Sequence, residues 1–241
     1  DEETVNNLQV PSLSAGRMPE YLKANRLAVE NIKDKPVLSG CIGPFSLAGR
    51  LYDMSEIMVG IYIEPDVVKT LLDKCTAYIT AYCRELKAIG ATGVIMAEPA
   101  AGLLSNEDCQ EYSTVYVRQI VEAVQDENFA VILHNCGNKG QCTQAMIDSG
   151  AAALHFGNAV NMVETLEQCP SDLIVMGNID PVGILKQATS EEVYRITADL
   201  LSKTSQYKNF VISSGCDMPP LVPDANIKSF YQAIADFNTG K

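Results

Sequence analysis

The sequence predicts an α/β fold built on a parallel β-sheet that is buried on both faces. Apolar runs of strand length alternate with amphipathic segments of helical length, and the connections between them are short. The apolar runs are nearly continuous, which is typical of strands in a parallel sheet covered by helices. The repeated order of strand and helix is therefore the primary prediction.

Six apolar runs are predicted to be strands. The first, "KPVLSGCIG", ends in glycines and is expected to lead into a loop. The third, "FAVILHNCG", runs directly into polar residues that can carry chemistry. The predicted strands comprise residues 35–43, 93–99, 129–137, 151–157, 173–180 and 209–217.

Helical periodicity is clearest over residues 64–93, where apolar residues recur on one face. Pro65 suits the first turn of this helix, and Gly90 suits its C-terminal end. Ser105 and Asp108 have the spacing of a capping box in front of a long amphipathic helix. Further helices are predicted near residues 139–150, 161–169, 190–202 and 224–237.

The repeated strand–helix unit favours a TIM-type (β/α)8 barrel. A closed barrel of this type has eight strands, whereas six are visible in the sequence. We therefore expect that the chain lacks the first one or two β/α units, or that two strands lie in the weakly patterned first 35 residues. No linker rich in glycine, proline or serine divides the chain, so residues 1–241 are predicted to form one domain, N-terminally truncated if those units are missing.

The acidic composition argues against several classes of partner. The formal net charge is −12, whereas nucleic acids and anionic membrane surfaces are bound through basic faces. A small-molecule substrate is favoured instead. No apolar run approaches the roughly 18 residues of a membrane span, and the N-terminus does not resemble a signal peptide. We expect a cytoplasmic protein whose eight cysteines are buried thiols or metal ligands rather than disulfides.

Side chains that can bind a metal ion follow three of the predicted strands. Glu98 lies at the end of the second strand, His134 and Cys136 at the end of the third, and Cys216 at the end of the sixth. In a barrel the carboxyl ends of all strands open on one face, so residues about 80 positions apart can converge there. One imidazole and two thiolates are a good set for zinc, and catalytic zinc typically keeps a fourth position open. Tight turns beside these ligands are expected at two glycines, Gly137 and Gly215.

The same residues also have a simpler interpretation. Cysteine is among the most buried residue types, and a histidine at a strand end is often only hydrogen-bonded. Cys142 is a rival third ligand, although it is expected in the next helix and directed elsewhere. His155 either faces the same mouth or is a core histidine with satisfied hydrogen bonds. Packing or surface positions are assigned to the other cysteines, which are Cys41, Cys75, Cys83, Cys109 and Cys169.

Several motifs resemble those of the uroporphyrinogen decarboxylase superfamily. The stretch "GPFSLAGRL" (43–51) is similar to its glycine-proline segment after an early strand, and "GNIDP" (177–181) is similar to its Gly-Asn-x-Asp-Pro segment. "HNCG" (134–137) followed by "SSGCDMPP" (213–220) resembles the His-x-Cys and Cys zinc motif of the cobalamin-dependent methyltransferase branch. Members of this superfamily are longer at the N-terminus, which agrees with the shortfall of two strands.

The resemblance implies a zinc-dependent methyltransferase. Such an enzyme moves a methyl group from a methylated corrinoid, carried by a partner protein, to a small thiol such as coenzyme M. The implied zinc ligands are His134, Cys136 and Cys216. Glu98 is expected as an exchangeable fourth ligand or as a partner of the ligands, and Asp180 as a polar site residue. Bound zinc would allow a substrate thiolate to exist at neutral pH.

Two other functions stay open on the sequence. The first is a lyase that decarboxylates a tetrapyrrole or another carboxylate, with Asp180 and Glu98 doing the polar work without a metal. The second is a noncatalytic corrinoid-binding homologue, in which exposed strand edges would drive association. The barrel prediction does not choose among these functions, because one barrel supports many chemistries.

Overall fold

The computed structural model describes residues 2–240. In that range the strands β1–β6 are Leu38–Ile42, Gly93–Ala97, Ala130–Asn135, Ala153–Phe156, Ile174–Ile179 and Phe210–Ser214. The helices α1–α11 are Glu2–Asn7, Met18–Asn31, Pro44–Tyr52, Met54–Ile63, Pro65–Ile89, Asn106–Cys109, Val115–Val124, Thr143–Asp148, Met162–Gln168, Ser190–Thr204 and Asp224–Thr239. A 3₁₀ turn covers Pro99–Leu103, and a π-helical segment covers Gln110–Thr114. All six predicted strands are confirmed.

The six strands form one parallel sheet in the order β1-β2-β3-β4-β5-β6. Each strand pairs with the next one along the chain, and helices connect them. This sequential parallel order is that of a (β/α) barrel. Among residues 2–240, β1 and β6 each have one paired neighbour, so the described sheet has two edges.

The strand register places one row of side chains on the inner face of the sheet. The pairs Ala97–His134, His134–His155 and His155–Met176 are directly opposite one another on neighbouring strands. The same row continues to Val211 on β6. Side chains that are opposite in register point to the same face, because side-chain direction alternates along each strand. The pairing of β3 with β4 therefore places the two histidines of the chain side by side.

The outer face of the sheet packs against the helices. Its row of opposed residues includes Met96, Leu133, Leu154 and Val175, all of which are buried in the largest hydrophobic cluster. Burial of each such side chain contributes roughly 1.5–3 kcal/mol. Because these residues pack against the helices, the residues that alternate with them along each strand lie on the inner face of the sheet.

Helix α5 forms as its sequence predicts. Pro65 lies in its first turn, and Gly90 ends it in a left-handed conformation with φ of +98°. The Gly90 amide donates to the Leu86 and Lys87 carbonyls, which satisfies the end of the helix. The predicted cap of the next helical segment is also confirmed, because Ser105 Oγ accepts from the amide of Asp108 at 3.0 Å.

In the first 63 residues, one of the two alternatives for the absent strands and the prediction of a loop after β1 are wrong. Residues 2–35 contain α1 and α2 and no strand, so the two absent barrel strands do not lie there. The loop expected after β1 is instead formed by α3 and α4. The start of α3 depends on Glu98, a residue more than 50 positions away, which caps its amides. Local sequence patterns do not contain such a contact.

In residues 2–240, every helix is either too short or too polar to cross a membrane.

Candidate metal centre

The structure brings three of the predicted ligands together at the carboxyl ends of the strands. His134 is the second-last residue of β3, Cys136 follows that strand directly, and Cys216 lies two residues beyond β6. One ligand atom from each residue lies within 4.8 Å of the others. His134 is buried, whereas both cysteines are half-buried. The three side chains therefore form a donor set that opens toward solvent on one side.

The loop that carries Cys136 is held by the side chain of Asn135. Its Oδ1 accepts from the amides of Gly137 at 3.1 Å and Asn138 at 3.0 Å. Asparagine commonly stabilises turns in this way, since its short side chain imitates a backbone carbonyl. Asn135 is a buried residue that the sequence did not identify as part of the site.

The chain turns at Gly137 and bends at Gly215, as expected, but close packing rather than an unusual backbone conformation is what requires glycine at these positions. Neither Gly137 nor Gly215 has a positive φ. A Cβ atom at Gly137 would instead lie 2.2 Å from the Pro99 carbonyl oxygen, and one at Gly215 would lie 2.7 Å from the Asn158 nitrogen. The loops that carry Cys136 and Cys216 thus approach neighbouring loops too closely for any side chain.

His155 lies directly against His134. The two Nδ1 atoms are 2.6 Å apart, and the ring centroids are 4.6 Å apart at an interplanar angle of 51°. The other ring nitrogen, Nε2, lies 2.8 Å from Ser213 Oγ and 2.9 Å from the Ser214 carbonyl oxygen. Both nitrogens of His155 are engaged, and His155 is not one of the three residues that converge on the donor set.

Burial determines the protonation of the site. It lowers the pKa of His134 and lowers that of His155 to about 4, with the neighbouring imidazole adding to the second shift. Burial also raises the pKa of the Cys136 thiol to about 11, and nearby Cys216 contributes in the same direction. At neutral pH the rings are neutral and Cys136 is a thiol, so a metal ion must displace the thiol proton when it binds.

Glu98 lies at the end of β2, but its carboxylate is engaged elsewhere. It accepts from the amides of Phe45 at 2.6 Å and Ser46 at 3.0 Å, and from Ser113 Oγ at 3.1 Å. Its backbone amide donates to the His134 carbonyl at 2.8 Å. Burial raises the pKa of Glu98 to about 7 against these donors. The carboxylate therefore caps helix α3, and its predicted role as a ligand gains no support from these contacts.

Asp180 has a similar structural contact. Its Oδ1 accepts from the amides of Val182 at 2.8 Å and Gly183 at 2.9 Å, which fixes the turn after β5. Asn178, in the same "GNIDP" segment, donates to the carbonyls of Gly157 and Val160 in the loop after β4. The segment thus ties two adjacent strand ends together, and a chemical role of Asp180 stays a prediction.

The other cysteines are not part of the donor set, although Cys41 lines the groove beside it. Cys142 is fully buried, and its thiol donates to the Leu104 carbonyl at 3.4 Å, as expected for a residue directed away from the mouth. Packing in the hydrophobic clusters accounts for Cys41, Cys75, Cys83, Cys109 and Cys169.

An open groove of about 500 Å³ adjoins the donor set. Its apolar part includes Leu38 and Ile95 from the inner face of β1 and β2, and His134, Cys136 and Cys216 lie at one end. Asp217, which the sequence did not single out, also lines the groove. Among the described residues that line it there is no lysine or arginine.

Fold and site together define an α/β barrel protein with a His-Cys-Cys set at the carboxyl ends of its strands. The chain belongs to the uroporphyrinogen decarboxylase family, whose sequence model matches residues 1–237. The family resemblance seen in the motifs is thereby confirmed.

Individual relatives carry two different activities. The chain is 27% identical over 238 residues to the methylcobamide:CoM methyltransferase MtbA of Methanosarcina mazei, and the match covers 98% of the chain and 68% of that relative. It is 24% identical over 246 residues to the uroporphyrinogen decarboxylase of Legionella pneumophila, covering 99% of the chain and 69% of the relative. These matches support an enzyme family without selecting one reaction.

Solved structures support the same fold. A methyltransferase from Methanosarcina mazei superposes with a TM-score of 0.87 at 22% identity, covering 97% of this chain and 69% of that one. A B12-independent methionine synthase from Shewanella sp. W3-18-1 superposes with a TM-score of 0.67 at 16% identity, covering 92% and 68%. At these identities the likeness establishes the fold alone.

The close approach of Gly137 to Pro99 generates a test of the site's packing. We expect Gly137→Ala to lower the free energy of unfolding by about 1–3 kcal/mol, because the new methyl group forces the Cys136 loop away from Pro99. Gly40→Ala is the matched control, since a Cβ there meets nothing within 4 Å. Chemical denaturation measures both; equal stabilities of the two variants would contradict the packing argument.

The buried carboxyl of Glu98 predicts a dependence of stability on pH. Its folded pKa of about 7 exceeds its ordinary value of 4.5, so the folded state binds the proton more tightly. The free energy of unfolding should therefore fall by up to about 3 kcal/mol as pH rises from 4.5 to 7. Glu98→Gln cannot ionise and should lack this component at every pH.

Denaturation of the wild type and Glu98→Gln at several pH values measures this component. In Glu98→Gln, the amide NH2 group replaces an acceptor oxygen and faces a backbone donor. This lowers the stability of the variant by an amount that does not depend on pH. Both histidines titrate in both proteins, so their contribution cancels when the two slopes are compared. Parallel stability curves would contradict the prediction, because the Glu98 carboxyl would then have the same pKa in the folded and unfolded states.

Proposed function

We propose that this chain is a zinc-dependent methyltransferase that moves a methyl group from a methylated corrinoid on a partner protein to a small thiol. The observation that carries the proposal is the convergence of His134, Cys136 and Cys216 at the strand ends. Similarity to a methylcobamide:CoM methyltransferase supports the same reaction class. Coenzyme M is accordingly the first acceptor to test.

The donor set fits zinc in both chemistry and spacing. Zinc is bound by imidazole nitrogen and thiolate sulfur, at about 2.0 and 2.3 Å, so ligand atoms around a tetrahedral ion lie roughly 3.5–3.8 Å apart. The three donors already lie within 4.8 Å of one another, and small side-chain movements bring them to that spacing. Three protein ligands leave one position for the substrate, as in catalytic sites.

The residues of the chain would hold the ion and orient the acceptor. When bound, zinc supplies a Lewis acid that lowers the pKa of a thiol substrate. His134, Cys136 and Cys216 hold that acid at one end of the groove. Leu38 and Ile95, both partly exposed in the groove, offer an apolar surface to the carbon atoms of the acceptor.

The proposed reaction is balanced as a methyl transfer between the two substrates. The acceptor thiol loses its proton, its sulfur bonds to the methyl carbon, and the carbon–cobalt bond breaks with its electron pair remaining on the corrinoid. Because the groove is open, a corrinoid held by another protein can approach the donor set. The groove offers Asp217 and no cation among its described lining residues, so it does not by itself favour an anionic acceptor.

A decarboxylase is the second candidate, since decarboxylases of the family match the chain over the same length. That reaction would rely on polar side chains such as Asp180 and Glu98. Both carboxylates accept hydrogen bonds from backbone amides in structural turns. These contacts favour the methyltransferase, in which neither carboxylate must react.

Metal analysis tests the proposed ligand set. We expect about one zinc per chain in the wild type and far less in Cys216→Ser, because a neutral hydroxyl replaces a thiolate ligand. Cys169→Ser is the matched control, since Cys169 packs in the hydrophobic core and its loss should leave zinc content unchanged. A folded wild type without zinc, or full zinc content in Cys216→Ser, would contradict the proposal.

The transfer itself is tested with methylcobalamin and a panel of thiols that includes coenzyme M. The zinc-loaded wild type should consume methylcobalamin and yield the S-methylated thiol, detected by mass spectrometry, and Cys216→Ser should be at least about 100-fold slower. A zinc-loaded protein that methylates no thiol but decarboxylates uroporphyrinogen would identify the second candidate as correct.

A further inference from the structure

We infer that His155 is a positioning residue that holds His134 in the tautomer whose Nε2 can bind the metal ion. This inference rests on the metal site proposed above and adds a residue outside its ligand set. A metal-binding imidazole must offer a lone pair, so the position of its single proton decides whether it can act as a ligand. The contacts of His155 determine that position.

The strand register places the two histidine side chains next to each other. His134 and His155 are opposite each other on β3 and β4 and project from the same face. Their Nδ1 atoms lie 2.6 Å apart. Two nitrogens at this distance share one proton, so one Nδ1 donates and the other accepts.

The direction of this hydrogen bond follows from the far side of His155. Its Nε2 lies 2.9 Å from the carbonyl oxygen of Ser214, and a carbonyl oxygen can only accept. Nε2 of His155 therefore carries the proton of the neutral ring, and its Nδ1 carries the lone pair. Nδ1 of His134 must then be the donor to His155. The nitrogen of His134 left with a free lone pair is Nε2.

The serines of β6 are compatible with this direction. Ser213 Oγ lies 2.8 Å from His155 Nε2 and 3.0 Å from the Ser214 carbonyl oxygen. The hydroxyl donates to the carbonyl and accepts from the imidazole, so no donor faces another donor. A chain of hydrogen bonds thus runs from the backbone of β6 through His155 to His134.

These hydrogen bonds also connect the strand that carries His134 with the strand that leads to Cys216. Ser214 lies two residues before Cys216, so the strand that supplies a thiolate also supplies the acceptor that orients His155. Outer hydrogen-bond partners of metal-binding histidines typically contribute 10–100-fold to metal affinity. We expect a contribution of that size from His155.

The first experiment reads the tautomers in the metal-free, reduced protein by NMR of ¹⁵N-labelled imidazoles. The chain contains two histidines, and the spectrum of His155→Ala assigns His134 directly. In the wild type, His134 should carry its proton on Nδ1 and His155 on Nε2. In His155→Ala, His134 should lose this preference. A wild-type His134 protonated on Nε2 would overturn the inference.

The second experiment measures zinc affinity by competition with a chelator. His155→Ala should bind zinc 10–100-fold more weakly than the wild type. His155→Gln, whose amide oxygen can accept from His134, should bind more tightly than His155→Ala. Leu154→Ala is the matched control: it removes a buried side chain from the outer face of the same strand, and should lower stability without changing the tautomer or the affinity.

The remaining outcomes are also decisive. Unchanged zinc affinity in a folded His155→Ala variant would overturn the inference. X-ray absorption that loses one nitrogen ligand in this variant would also overturn it, because His155 would then be a ligand itself. A wild type that binds no zinc would refute the proposed function, whereas the tautomer measurement in the metal-free protein would still test the hydrogen-bond chain independently.

Discussion

The parallel register of the six strands is the constraint on which the candidate site depends. Register places His134 opposite His155, and the shared direction of the strands places Cys136 and Cys216 at the same end of the sheet. The position of His134 follows from the backbone hydrogen bonds that hold the sheet together. Cys136 and Cys216 lie in loops just beyond the strands, and these loops are held by Asn135 and by close packing at Gly137 and Gly215. A metal centre needs such support around its binding residues.

A second constraint is the burial of Glu98. A carboxylate in the interior is unfavourable unless donors satisfy it, and the amides of Phe45 and Ser46 provide this compensation. The first amides of a helix have no hydrogen-bond acceptor within the helix. The contact with Glu98 therefore satisfies both the buried carboxylate and the first amides of α3. Because the Glu98 backbone amide also donates to the His134 carbonyl, the helix after β1 is tied to the strand that carries His134.

The strands, the main helices and the convergence of the three ligands could be predicted because each follows from local pattern and one topological rule. Helix α3 could not, since its start depends on Glu98. The reason for Gly137 was also hidden, because a close approach to Pro99 involves a loop almost 40 residues away. For His155 the sequence left two alternatives open, a site residue and a core histidine; the register and the Ser214 contact are what define its orientation.

The inner face of the sheet is exposed beside the donor set. Ile95 and Val211 lie on this face and are 38% and 44% exposed in the described part of the chain. Their exposure leaves the histidine row open along the sheet as well as at its mouth. In the methyl transfer proposed above, this inner face would be the surface that the methylated corrinoid contacts, while His134, Cys136 and Cys216 at the strand ends would hold the thiol. The register that places both histidines on this face would thus also place the thiol beside the methyl group.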